Sequence, residues 1–195
     1  YGNPSSVYSF GSDLSSEIEK ARERVAASLG ASYTSEIVFT SCGTESDNTA
    51  IHSALASRLG RTRIVTTKVE HPAVLNPAER LKRDGLQLTV LSVDKYGRLD
   101  LNELKEAMGA DVAVVSIMAA NNETGTLFPI EDAAKIAHEH GALFHTDAVQ
   151  AVGKIPINLS QSSIDLLSLS GHKLHAPKGV GALFVRRGRR FRPFM

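Results

Sequence analysis

Cysteine is nearly absent from these 195 residues: Cys42 is the only one. An intrachain disulfide framework is excluded, and a reducing, cytoplasmic setting is expected. Net charge is also nearly absent. Lys and Arg (22) almost balance Asp and Glu (21), leaving +1, so no strong field invites nucleic acid or an anionic membrane surface. Long apolar runs are missing as well. The longest, VAVVSIMAA at 112–120, is interrupted by Ser116 and falls well short of the ~20 residues that span a bilayer. Neither GxxxxGK[ST] nor GxGxxG occurs, which removes the common nucleotide fingerprints. The His residues lack tetrahedral ligand spacing and there is no thiolate cluster, so no metal site is expected. The basic run RRGRRFRP at 186–193 is expected to be a solvated end segment or connector. The opening YGNPSSVYSFGSD has no charged stretch leading into an apolar one, so a signal peptide is not expected. It starts without Met and turns at once, and the chain stops abruptly at Met195. A fragment is the expectation.

What remains is the composition of an ordinary soluble domain, 42% hydrophobic and 22% charged, long enough for one domain or most of one. Leu14, Ile18, Ala21, Val25 and Leu29 follow helical spacing, with Gly30 placed to end the helix. Further helices are expected over about 44–59, 72–85, 101–108 and 129–140, the last with Pro129 near its first turn. Between them lie short apolar runs at 36–41, 63–69, 86–93, 111–118, 142–147, 164–170 and 181–185. Strands that alternate with helices and are continuously apolar predict an α/β fold: a mostly parallel sheet with helices on both faces.

Ligands of such sheets bind beyond the carboxyl ends of the strands. The polar clusters SCGTESDN, KVEHP, NNETG, TDAVQ and SGHK each follow a predicted strand, so they are expected to converge on one edge. In SCGTE, Gly43 permits close backbone approach and Thr44 adds a hydroxyl at a helix start suited to an anion such as phosphate, although a plain helix cap explains the pattern as well. Asp147 follows a buried strand, where a carboxylate needs a cation. It reads either as a cap or as the partner of a protonated ring nitrogen. His71 stands before Pro72 and suits a structural or a catalytic role. Asn122 and Gln150 are neutral amides able to bond a ring substituent. His145 is assigned packing or ring-side hydrogen bonding only. Lys173, among Gly171, His172 and Leu174, is read as a desolvated amine able to form a Schiff base, in preference to Lys178 in the PKG turn. A phosphate cup, a carboxylate for a pyridinium nitrogen and a reactive lysine are together the requirements of pyridoxal 5′-phosphate.

YGNPSS, EIVFTSCGTESDN, EHPAVL, SIMAANNETG, HTDAVQAVGK and SGHKLHAPKGVGALFVRR occur in this order. On these motifs the chain resembles the cysteine desulfurases, class V of the fold-type I pyridoxal phosphate enzymes, in their nitrogenase-maturation and iron–sulfur-assembly branch. The resemblance implies that residues 1–195 are the large cofactor-binding domain of the aspartate aminotransferase-like architecture, with the start segment and C-terminal small domain missing. It implies Lys173 as the Schiff-base lysine and Asp147 as the pyridinium partner. His71 would stack on the ring and assist proton transfer, Gln150 would meet the ring hydroxyl, and Asn122 would lie near ring and substrate. Gly43, Thr44, Ser170 and His172 would hold the phosphate. The implied reaction takes L-cysteine to L-alanine with sulfur passed as an enzyme persulfide to an acceptor or iron–sulfur scaffold protein, in a homodimer. The family's nucleophilic cysteine loop and substrate-binding arginine fall beyond Met195, so this chain is expected to hold the cofactor without completing turnover. Cys42, on the phosphate side, is assigned to packing. A selenocysteine lyase or aminotransferase of the same class, or a non-catalytic remnant of the fold, are the alternatives.

Overall fold

A computed structural model describes residues 2–6 and 8–194; Tyr1, which opens the YGNPSS motif, Val7 and Met195 lie outside the described residues. The apolar runs form strands β1 (Ile37–Thr40), β2 (Arg63–Thr67), β3 (Gln87–Leu91), β4 (Val112–Ser116), β5 (Leu143–Asp147), β6 (Leu166–Ser170) and β7 (Gly181–Val185). The amphipathic runs form α1 (Ser9–Leu29), α2 (Gly43–Ser57), α3 (Pro72–Arg83), α4 (Leu101–Ala107) and α5 (Ile130–Glu139). All strands join one sheet in the order β1-β7-β6-β5-β4-β2-β3. Only β7 runs against its neighbours, β1 and β6; the other pairs are parallel.

Consecutive strand residues point to opposite faces, and continuous apolar runs therefore build two cores. Val65, Val115, Phe144, Leu167 and Phe184 pack with Leu29 of α1, Leu104 of α4 and Ile136 of α5. Their immediate neighbours Ile64, Val114, Leu143, Leu166 and Leu183 pack with Ile51 and Ala54 of α2 and Val74 of α3. The expected mostly parallel sheet, covered on both faces, is what forms.

Several local expectations are met and two are corrected. Gly30 adopts φ 62° and its N–H bonds the carbonyls of Ala26 and Ala27, a left-handed stop that glycine adopts without strain. Pro129 sits one residue earlier than expected, as the cap rather than inside α5. Its carbonyl accepts the Ala133 N–H at 3.0 Å, a role that needs no N–H from proline. The basic run after β7 is solvated only in part: Arg187, Arg190 and Arg192 are exposed, whereas Arg186 and Arg189 are partly buried. Arg186 donates to the carbonyls of Ile164, Leu159 and Ser162 at 2.7, 2.8 and 3.0 Å. Arg189 pairs with buried Asp165, and the Arg187 guanidinium lies 4.3 Å from the Tyr33 ring centre. At the amino ends of the strands, Arg186 supplies donors to loop carbonyls and Arg189 adds one to the Asp165 carboxylate.

Candidate functional site

On the face under α2, strand alternation puts Val114, Leu143 and Leu166 nearer the amino ends of their strands and Ser116, His145, Asp147, Ser168 and Ser170 nearer the carboxyl ends. The sheet surface beneath α2 thus turns from apolar to polar towards the carboxyl ends. A cavity of about 200 Å³ opens there. The start of α2 contributes Gly43 and Thr44, the β2–α3 loop His71, and the loop after β4 Asn122. Asp147 and Gln150 enter from β5 and the turn after it; Ser170, His172 and Lys173 enter from β6 and its following 3-10 turn. Every candidate residue named above borders this one cavity, whereas Lys178 does not.

The anion side is built from backbone. Cys42 caps α2 in extended geometry without a side-chain capping bond, so the cap explanation of SCGTE is not realised and the first-turn amides have no side-chain acceptor. Glu45 turns away to accept the Ser41 N–H at 2.6 Å, and the Ser41 bonds hold its carboxyl below the ordinary range. A Cβ on Gly43 would stand 2.9 Å from Val149 Cγ2 and 3.3 Å from Ser170 Cβ. One on Gly181 would stand 2.7 Å from the Cys42 carbonyl carbon and 2.9 Å from the Leu169 oxygen. Both glycines are needed for α2 to start flush against the sheet. Ser170 Oγ lies 2.9 Å from His172 Nδ1, which fixes both beside that start.

The ring side is built from side chains. Asp147 Oδ1 accepts the Val149 N–H at 2.9 Å, so the turn-capping role is real, yet the carboxyl also borders the cavity. Burial raises its pKa, opposed by the Val149 N–H and the nearby His71. His71 combines both of its proposed roles in position: it caps α3, with Nδ1 accepting the Ala73 N–H at 3.0 Å, and it faces the cavity. That bond leaves the ring proton on Nε2. Gln150 Oε1 takes the Lys154 ammonium at 2.7 Å, which leaves its NH2 as the group free to meet a ligand oxygen. Asn121 holds the NNETG loop by accepting the Glu123 and Thr124 N–H groups, both at 2.9 Å, and so frees Asn122 for the cavity. Lys173 departs from expectation: it borders the cavity but is exposed, as are His172 and Leu174. The 3-10 turn Gly171–Leu174 buries only Gly171, so the residues here do not desolvate the amine.

His145 is wholly buried between Ser116 Oγ at 2.8 Å and Ser168 Oγ at 2.9 Å, in the packing role expected for it. Two carboxyls were missed. Asp47, 1% exposed, borders the cavity floor. The sequence signal was its place four residues after Gly43, on the α2 face that otherwise buries Ala50, Ile51 and Ala54. Glu70 is buried beside it, its Oε1 accepting Thr67 Oγ1–H at 2.7 Å and the Met118 N–H at 3.0 Å. Burial pushes its pKa up to about 8. A raised carboxyl stabilises the fold fully below its unfolded value and loses that contribution as pH rises through the folded one. Unfolding free energy measured in denaturant should therefore fall between about pH 4.5 and 8, and Glu70→Gln should flatten that fall. An unchanged slope in the variant would remove Glu70 as its source.

The profile of the family described as Aminotransferase class-V matches residues 1–195. The chain belongs to the class-V aminotransferase family. Curated relatives within it include a cysteine desulfurase of Nostoc sp. (strain PCC 7120), 58% identical over all of this chain and 48% of the relative. The cysteine desulfurase NifS of Azotobacter vinelandii is 59% identical, again over all of this chain and 48% of its own. The chain spans about half the length of the curated relatives it matches. Among solved structures, a NifS-like protein superposes with a TM-score of 0.95 at 42% identity, over 100% of this chain and 54% of the other. SspA in complex with cysteine superposes at 0.93 with 38% identity, over 99% and 56%.

Class-V aminotransferases are pyridoxal phosphate enzymes, and this class-V cavity fits that cofactor. Uncapped amides and the Thr44 and Ser170 hydroxyls suit a phosphate. A buried carboxyl suits a ring cation, and Lys173 supplies the amine. Ala73, Met118, Ala120 and Val149 give the walls apolar surface for a ring.

Proposed function

We propose that this chain forms the cofactor-holding half-site of a cysteine desulfurase, acting on L-cysteine to give L-alanine and transferable sulfur. The observation that carries this reading is the meeting of Lys173, Asp147 and the uncapped start of α2 at one cavity, in a chain whose relatives are named cysteine desulfurases. Bound pyridoxal phosphate supplies an electron sink for the substrate's α-carbon bond. Gly43, Thr44, Ser170 and His172 would bind the phosphate, Asp147 would receive the ring nitrogen, and the Gln150 amide would donate to the ring oxygen. His71 would stack on the ring, Asn122 would lie beside ring and substrate, and Lys173 Nζ would hold the cofactor and move the α-proton. Cys42, at the start of α2, would lie on the phosphate side and is not assigned the sulfur-accepting step. A homodimer, delivery to an iron–sulfur scaffold and a cytoplasmic setting complete the proposal.

The test is reconstitution. Purified chain mixed with pyridoxal phosphate should gain a visible absorption band that L-cysteine perturbs, and borohydride should fix the cofactor mass on Lys173. L-Cysteine that leaves the band untouched while another amino acid shifts it would favour an aminotransferase of the same class. Absence of any band would overturn the cofactor assignment.

A further inference from the structure

The inward stripe of α2 carries a carboxyl where neighbouring turns carry Ala50, Ile51 and Ala54. Asp47 is 1% exposed, and its Oδ1 has no hydrogen-bond partner although it borders the cavity. Beneath it lies the polar row of the sheet. His145 Nε2 approaches Asp47 Oδ1 to 3.6 Å, but this contact is not an ion pair. That nitrogen is already engaged with Ser168 Oγ, and full burial keeps the imidazole neutral, its pKa lowered to about 3. Across the cavity stands Asp147 on β5, on the same strand face as His145; Glu70 after β2 is buried outside the lining, and its Oε2 is likewise unpartnered. Burial, and then the charge of Asp147, push the Asp47 carboxyl well above its ordinary range, and the Ser168 hydroxyl only partly opposes them. The basic groups His71, His172 and Lys173 belong to the other lining segments, and none pairs with Asp47.

A buried floor that meets one ring cation tolerates one anion. Asp147 is the site best equipped to carry it: it has the Val149 N–H, the neighbouring His71 and more exposure than Asp47. We infer that Asp47 is a positioning residue of the cofactor site, a neutral carboxylic acid behind Asp147 that keeps the single negative charge of the floor on Asp147. The inference rests on the cofactor reading given above. Asp47 acts through Asp147 and touches no reacting atom.

The decisive measurement needs no cofactor. Carbon-13 NMR of side-chain carboxyls in the apo chain should show Asp47 protonated at neutral pH, ionising only above the ordinary carboxylate range; an ionised Asp47 at pH 7 overturns the inference. Cofactor titration supplies the second arm. Asp47→Ala should weaken pyridoxal phosphate binding on the order of tenfold, the scale on which supporting partners act. Asp47→Asn, permanently neutral and of the same shape, should restore most of that loss and leave the pH midpoint of the visible band in place. Asn as damaging as Ala, or Ala binding like wild type, overturns the role. If the Ala variant does not fold, the Asn variant and the carboxyl spectrum still decide. Failure of the wild-type chain to bind cofactor would sink the cofactor reading instead, with the protonation result standing on its own.

Discussion

Lys173→Ala abolishes the borohydride-fixed cofactor adduct and slows exchange of the L-cysteine α-proton with solvent deuterium by about 10²–10⁴-fold, the range that a positioned acid–base group contributes. Among the described residues that border the cavity, Lys173 is the only lysine, so no second amine of the lining replaces it. The readout is chemical rather than structural because the side chain is exposed, and removing such a group costs stability within about 0.5 kcal/mol. Thermal melts of the two proteins should coincide. Lys173→Arg sharpens the test: it keeps the positive charge but offers no amine that loses its proton near neutrality, so it should fail like Ala. Proton exchange isolates the step these residues support, since it needs no sulfur acceptor. An adduct that moves to Lys178, or exchange undiminished in Lys173→Ala, would remove Lys173 from its role.

The site was legible because its residues punctuate the chain where strands end. A helix-to-strand change of hydrophobic period followed by Gly43-Thr44, His71-Pro72 or Gly171-His172-Lys173 marks a carboxyl end, and a parallel sheet gathers such ends on one edge. The β5 pair His145 and Asp147, two residues apart, share a face for the same reason. What escaped was the layer beneath. Asp47 lies in an ordinary helical run, and only the packing of α2 against β5 and β6 buries it. Glu70 looks like a loop residue until the Met118 N–H turns towards it. Burial also set the limits of the charge reading. Lys173 was expected dry and is exposed, whereas Arg186 and Arg189 were expected in solvent and are bonded to the amino ends of the strands. Short-range sequence reports which groups are present; the partner that keeps or removes their water comes from segments far along the chain.

Asp165 carries the largest stability effect expected from one polar side chain. Its carboxylate is fully buried at the start of β6, where Oδ2 accepts His138 Nε2 at 2.7 Å and the Phe144 N–H at 2.8 Å. Oδ1 accepts Arg189 Nε at 2.5 Å. Asp165→Ala leaves the partly exposed Arg189 guanidinium and the buried Phe144 amide without an acceptor, and an unsatisfied buried donor costs about 1–3 kcal/mol. The pH dependence follows from the direction of its pKa. Burial raises it, but the bonds from His138 and Phe144 and the charge of Arg189 win, and the carboxyl titrates below its ordinary value. A lowered carboxyl stabilises the fold above its unfolded pKa, about 3.9, and loses that contribution as pH falls through the folded value. The gap between wild type and Asp165→Ala in urea unfolding should therefore be full at pH 7 and narrow below about pH 4. A gap that stays constant into acid would mean that packing, not the carboxylate, supports the site. The strand rises ~3.3 Å per residue, so Asp165 sits a strand's length from Ser170 and the cavity. Cofactor affinity of the folded fraction should stay near wild type in this variant, which separates the network that holds the sheet's amino edge from the one that holds the ligand.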